Sequence, residues 1–165
     1  MSHKHTLVAL VEDSPGVLNR VASLFRRRGY NIDSLTVSET EHEKHLSRFT
    51  IVTTGTSMVL AQIKSQLERL VNVHRVVDLT VAGEPLEREL ALIKVAGKGE
   101  KRIEALRLAE IFRASVIDAS IGHFVFEITG RSSKIEQFIS IMMELGLTEV
   151  SRTGIAAIAR GPKAM

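Results

Sequence analysis

Two rhythms of apolar and polar positions alternate along this chain, and the points where one gives way to the other divide it into short strands and helices. Residues 7–11 (LVALV) form an unbroken apolar run, as expected of a buried strand. Val17, Leu18, Val21, Leu24 and Phe25 then recur at helical spacing, and Gly29 follows as a helix terminator. Residues 32–37 are rich in β-formers, and 48–54 (RFTIVTT) set Phe49 and Ile51 against polar neighbours with period two. The two stretches read as a hairpin with its loop at 38–47. Helical spacing returns near Thr56 or Ser57 with Val59, Leu60, Ile63, Leu67 and Leu70, and a fourth strand follows at 73–79.

Strand, helix, strand, strand, helix, strand is the split βαβ, or ferredoxin-like, order: a four-stranded antiparallel sheet with both helices on one face. Gly83 and Pro85 then interrupt both rhythms, and the order restarts. FTIVTTG at 49–55 lines up without gaps against FVFEITG at 124–130, and Ile63, Leu67 and Leu70 then meet Phe138, Met142 and Leu145. Upstream, Ala22-Ser-Leu-Phe-Arg26 matches Ala109-Glu-Ile-Phe-Arg113. The expectation is an α+β chain of two tandem ferredoxin-like units, residues 4–81 and 89–160, with a linker at 82–88 and a tail at 161–165.

The link between the first strand and the first helix carries candidate chemistry. In Glu12-Asp13-Ser14-Pro15-Gly16, Ser14 suits a helix N-cap and Pro15 the first helical position. The amides of Gly16, Val17 and Leu18 then lack intrahelical acceptors, and the helix dipole adds roughly half a positive charge, so a carboxylate or phosphate is welcome there. Gly16 lets a ligand approach the backbone closely. Asp13 would repel a simple anion but pair with an ammonium group, so a zwitterion satisfies both ends. Asn31 offers a further donor and acceptor. The same residues equally serve as a plain helix cap and a plain turn. Carrying the alignment back sets Glu100, Lys101, Arg102 and Ile103 opposite Asp13, Ser14, Pro15 and Gly16, so the second copy lacks the Pro-Gly turn. That asymmetry favours a site in the first copy, with sequence drift as the alternative.

Composition narrows the function classes. The 165 residues are 44% apolar and 25% charged, as in soluble globular proteins, and the absence of cysteine excludes disulfides, thiolate nucleophiles and cysteine metal sites. The opening apolar run is too short for a signal peptide and no later one is long enough to span a membrane, so a cytoplasmic protein is expected. A formal charge of +3 comes from nearly balanced totals, and Arg26, Arg27 and Arg28 complement a helix C-terminus rather than mark a nucleic-acid face. One tyrosine and no tryptophan leave little for stacking on RNA bases. His42 and His45, among Glu39, Glu41 and Glu43, are too loosely spaced for a metal site and read as a solvated loop, while His74 and His123 read as structural. No Ser-His-Asp spacing, nucleophile elbow, phosphate loop or dinucleotide fingerprint appears, and no catalytic residue or metal site is expected.

Several motifs carry a family resemblance spanning almost the whole chain. Pro15-Gly16-Val-Leu18, Arg28-Gly29-Tyr30-Asn31-Ile32 and Ser34-Leu35-Thr36-Val37, together with Ser47-Arg48-Phe49-Thr50 and Glu87-Arg88-Glu89-Leu90, resemble the small, regulatory subunits of acetolactate (acetohydroxyacid) synthase. Their first unit is an ACT domain. The resemblance implies a non-catalytic homodimer that stimulates a catalytic large subunit and confers feedback inhibition by valine, or by leucine or isoleucine. It implies no cofactor in this chain, with thiamine diphosphate, magnesium and FAD on the catalytic partner, and no nucleic-acid or membrane partner. The implied effector pocket joins Asp13, Ser14, Pro15, Gly16, Val17 and Leu18 of one copy to the region of Asn31 and Ile32 of the other. Asp13 departs from the Asn that many members carry. A stand-alone ACT-type sensor regulating another enzyme or a transcription partner is the alternative, and co-purification separates the two.

Overall fold

Alternate burial along the first strand sets the plan of the molecule. In β1 (His3–Glu12), Leu7, Ala9 and Val11 point to one face and are fully buried, joining Phe49 and Ile51 in the first hydrophobic core. The computed structural model describes residues 1–40 and 45–165. Glu41, His42 and Glu43 of the charged hairpin loop lie outside the described residues. The described residues cluster as two compact units, residues 1–86 with 155–165, and residues 87–154.

In the first unit, β1 is followed by α1 (Val17–Arg27), β2 (Ser34–Glu39), β3 (Leu46–Gly55), α2 (Ser57–Glu68) and β4 (Val73–Asp78). The strands form an antiparallel sheet in the order β2-β3-β1-β4, with Ala9 opposite Phe49 on one side and Val76 on the other. Val17, Val21, Leu24 and Phe25 of α1 and Leu60, Ile63 and Leu67 of α2 cover the same sheet face. This is the expected ferredoxin-like unit. Leu18, expected on the buried stripe of α1, is 48% exposed instead, because that stripe is already filled by Val17 and Val21.

The ends of α1 explain two of the motifs. Gly29, at φ +69°, donates to the Arg26 carbonyl and Tyr30 N donates to the Phe25 carbonyl at 2.9 Å, a paired closure of the last turn that needs a left-handed residue. The Tyr30 ring then packs edge-on against Phe25, with centroids 6.2 Å apart. Arg26 and Arg27 occupy the last turn, where cations complement the carbonyl end of the helix. In α2, Thr56 Oγ1 accepts from Val59 N, and this side-chain cap begins the helix where the sequence suggests.

The second unit repeats the order with β5 (Leu86–Ala96), α3 (Glu100–Ile111), β6 (Ser115–Ala119), β7 (His123–Gly130), α4 (Ser132–Leu145) and β8 (Leu147–Ile158). Its sheet runs β6-β7-β5-β8. Helix caps show that the first-helix alignment slips by about one turn. With the C-caps Arg28 and Phe112 set against each other, Val21 and Phe25 correspond to the buried Ala105 and Ala109, and the N-caps Gly16 and Gly99 fall one residue apart. Arg113 stands where α1 has Gly29 and takes the same left-handed conformation at φ +57°. Glu100, Lys101 and Arg102 do crowd the start of the second copy's helix. Glu89, only 5% exposed, is held by Arg152 through Oε1 at 2.5 Å and Oε2 at 3.0 Å, with Ser132 donating to Oε2 at 2.9 Å.

Residues 155–160 part company with the unit in which sequence placed them, and 161–165 follow. Val8, Val52 and Leu79 lie on the sheet face away from α1 and α2, and Ile155 and Ala157, with Ala159 and Met165 beside them, bury that face. Thr36 Oγ1 donates to the Ile155 carbonyl at 2.9 Å, Ile155 N donates to Ser34 Oγ at 3.2 Å, and Arg48 donates to the Ala157 carbonyl at 2.8 Å. An open sheet with apolar residues on both faces requires such a cover.

Candidate functional site

The turn at the head of α1 is built by its neighbours. Glu12 N donates to the Asn72 carbonyl and Asp13 N to the His45 carbonyl, both at 2.8 Å, which anchors the end of β1 between the approach to β4 and the hairpin. Ser14 N folds back onto the Glu12 carbonyl at 2.9 Å. The chain then passes exposed Pro15 to Gly16, which sits at φ +86° and is the N-cap. The helix therefore begins at Val17 and not at Pro15, and Ser14 makes no side-chain cap. A left-handed backbone at Gly16 turns the chain abruptly, so Ser14 lies too far back to reach the second or third helical amide.

This correction leaves the amide end more open. Val17 N makes one long bond of 3.4 Å to the Ser14 carbonyl, and Arg20 N is the first to bond to Gly16 O in the helical manner. Among the described residues, the amides of Gly16, Leu18 and Asn19 have no acceptor. A Cβ built at Gly16 meets nothing within 4 Å, so open space lies over the turn. Asp13 and Ser14 are exposed, and among the described residues their side chains have no hydrogen-bond partner. A carboxylate on the amides and an ammonium at Asp13 match this layout in charge and in unmet hydrogen bonding.

A polar brace that periodicity does not reveal supports the turn. Asn72 Nδ2 donates to Glu12 Oε2 at 3.0 Å, His74 Nε2 lies 3.3 Å from Glu12 Oε1, and Arg20 of α1 donates to Asn72 Oδ1. The Asn72 bond, and then His74, hold the Glu12 carboxyl below its ordinary value. No spacing rule links Glu12, Arg20, Asn72 and His74, which are brought together only by the pairing of β1 with β4.

The remaining expected site residues separate from this turn. Val17 is 3% exposed and belongs to the core, so Leu18 is the apolar side chain that α1 presents beside the open amides. Asn31 and Ile32 lie past the other end of α1, an 11-residue helix, and thus roughly 16 Å away along its axis. Asn31 Nδ2 donates to Asp33 Oδ1 at 2.8 Å, its carbonyl accepts from Thr53 Oγ1 at 2.6 Å, and Ile32 is half-buried against the core. One chain does not bring Asn31 to the Asp13 turn.

A Ser-His-Asp chain absent from the sequence spacing does form at the β6–β7 turn. Ser120 Oγ lies 2.6 Å from His123 Nδ1, and His123 Nε2 lies 2.8 Å from Asp118 Oδ2, which lowers the Asp118 pKa. Ser120 Oγ also accepts from Gly122 N at 3.2 Å, and Ser120 and Asp118 are exposed. Without a water-excluding cleft this is a clamp on a turn rather than a nucleophile. Among the described residues, no group of three His, Asp or Glu side chains could hold a metal ion, and no helix is long and apolar enough to cross a membrane.

Comparison with known proteins places both units. Residues 7–75 match the model of the AHAS small subunit-like ACT domain, and residues 88–161 match that of the small subunit of acetolactate synthase. A probable acetolactate synthase small subunit from Archaeoglobus fulgidus is 48% identical over 97% of this chain and 99% of its own length. The acetolactate synthase small subunit of Mycobacterium leprae is 45% identical over 96% of this chain and 93% of its own. The crystal structure of the acetolactate synthase small subunit from Thermotoga maritima superposes with a TM-score of 0.88 at 41% identity, covering 98% of this chain and 99% of that one. With both units matched and nearly the full length shared, this chain belongs to the acetolactate synthase small-subunit family, and its first unit is an ACT domain.

Proposed function

We propose that this chain is the non-catalytic, regulatory partner of a catalytic acetolactate synthase subunit in branched-chain amino-acid biosynthesis, and that it senses valine, leucine or isoleucine. In this reading thiamine diphosphate, magnesium and FAD reside on the catalytic partner. The chain acts in the cytoplasm, stimulates its partner and carries the feedback signal. The observation that supports the effector site is the open amide end of α1 beside the Asp13 carboxylate, which has no partner among the described residues.

The separation of Asn31 from that turn bears on assembly. Two copies related by a two-fold axis would set the Asn31 and Ile32 end of one α1 beside the Asp13 to Leu18 end of the other. The effector's carboxylate then accepts from the amides of one copy, its ammonium faces Asp13, and its branched tail meets Leu18 and the partner copy. Such a pocket exists only in the dimer, so effector binding and dimerisation are linked.

Reconstitution with the catalytic subunit tests the whole reading. Acetolactate formation should rise severalfold when this chain is added and fall again on addition of millimolar valine. No stimulation of the cognate catalytic subunit would reject the regulatory role. Stimulation without inhibition by any of the three amino acids would reject the effector site alone.

A further inference from the structure

A second feature of the first unit is independent of the α1 turn. Between the sheet face away from the helices and residues 157–165 runs a groove of about 950 Å³, near the upper end of the roughly 300–1,000 Å³ usual for small-molecule sites. Its walls are apolar, with Leu10, Val77 and Leu79 from the sheet. Among the described residues its charged side chains are cationic, Arg48, Arg75 and Lys163, with no aspartate or glutamate, and Thr40 adds a hydroxyl.

Strand register explains how the cations meet. Leu10 on β1 pairs with Arg48 on β3 and with Arg75 on β4, so the two arginines flank one leucine in a single row across the sheet. Two strand spacings set their backbones roughly 10 Å apart. Among the described residues, none of the three cations pairs with a carboxylate. Glu12, the next acid on that face of β1, is already engaged by Asn72 and His74. Arg48 is half-buried and spends its bonds on the Ala157 carbonyl at 2.8 Å and the Met165 sulfur at 3.8 Å. Its other N–H donors have no acceptor among the described residues. A desolvated guanidinium facing two like charges is stable only at a cost that an anion removes.

We propose that this groove is a second ligand site, which takes an organic anion with an apolar body and a carboxylate or phosphate head. Zwitterionic amino acids fit it poorly, because their ammonium group would face the cationic side chains of Arg48, Arg75 and Lys163. The apolar body lies along Leu10, Val77 and Leu79, and the head bridges Arg48, Arg75 and Lys163. The groove therefore differs in ligand class from the α1 turn, and the two sites fill independently of one another's chemistry.

Titration of the full-length protein with octanoate and with octyl phosphate tests the proposal, the two probes separating a carboxylate head from a phosphate head. Saturable binding of at least one is expected at or below the low-millimolar range, with valine and octanol failing to compete. In ¹⁵N-resolved spectra the amides of Leu10, Arg75 and Val77 should shift while those of Gly16 and Leu18 stay still. Arg75 is exposed, so Arg75→Gln should leave the fold intact and weaken binding about tenfold, and adding Lys163→Gln should weaken it further. The site is refuted if neither probe saturates, if the charge-removing variants bind as tightly as the parent, or if the shifts centre on Gly16.

Discussion

At the level of single residues, Gly16 and Glu12 set up the head of α1 in different ways. Gly16 adopts φ +86° beneath open space, so a side chain there meets backbone strain but no neighbour. Aspartate tolerates the left-handed region better than most residues, so Gly16→Asp should cost only about 1 kcal/mol of stability. Its carboxylate would nonetheless sit on the free amides, where the proposed effector's own carboxylate would bind. Calorimetry with valine should show affinity reduced by more than about tenfold, while stimulation of the catalytic subunit persists. Loss of stimulation as well would mark Gly16 as a structural residue. Glu12 acts through pH. Its carboxyl is held below the ordinary value of 4.5, chiefly by Asn72, so its contribution to stability is complete above that value and disappears as pH falls through the lower folded value. Melting temperatures recorded from pH 6 downward should thus fall less steeply for Glu12→Gln than for the parent.

Secondary-structure elements show what the sequence reveals and where it stops. Period-two alternation in 48–54 and helical spacing in 59–70 recover β3 and α2 because each element has one wet face and one dry face. The first helix of the second unit resists such reading, since its only fully buried positions are Ala105 and Ala109, and alanines leave little apolar contrast. Hence the one-turn slip in aligning the copies. The cap at Gly16 was equally hidden, because a left-handed turn and a Ser14 cap draw on the same residue types. Of the candidate site, the open amides and Asp13 were legible from local residue types, but the Asn72 and His74 brace arises only from long-range pairing.

Once the C-caps are superposed, Arg113 carries the strain that Gly29 avoids in the first unit. Arg113→Gly should stabilise the second unit by about 1 kcal/mol and raise its unfolding temperature by a few degrees. An unchanged or lower midpoint in calorimetry would contradict this account. The same unit depends on the Arg152–Glu89 pair. Arg152→Met leaves a carboxylate that is 5% exposed without its bidentate partner, and should destabilise by about 3 kcal/mol. Replacing both residues with apolar ones of similar size should recover much of that loss, which urea titration of the single and double variants would reveal.

Considered as a whole, the molecule's sequence order and its packing part at residue 155. Residues 1–86 contain every strand and helix of an ACT domain, yet Val8, Val52 and Leu79 on their outer sheet face owe their burial to Ile155 and Ala157. Exposing a Val or Leu side chain forfeits about 1.5–3 kcal/mol each, so the fragment 1–86 would lose several kcal/mol out of a typical total of about 5–15. It would also present a contiguous apolar patch, which favours association. Expressed alone, residues 1–86 should therefore melt well below the intact protein, bind an apolar dye and self-associate. A milder probe keeps the chain whole. Ile155→Ser removes the best-buried cover residue, 4% exposed, and should lower the stability of the first unit by about 2–3 kcal/mol. Hydrogen exchange followed residue by residue would locate that loss. Faster exchange at Val8 and Val52 with α3 and β7 unaffected is the expected pattern, because the substituted residue, though it lies in β8, packs on the outer face of the first sheet. Loss confined to residues 87–154 would instead return residues 155–160 to the second unit, where chain order alone would put them.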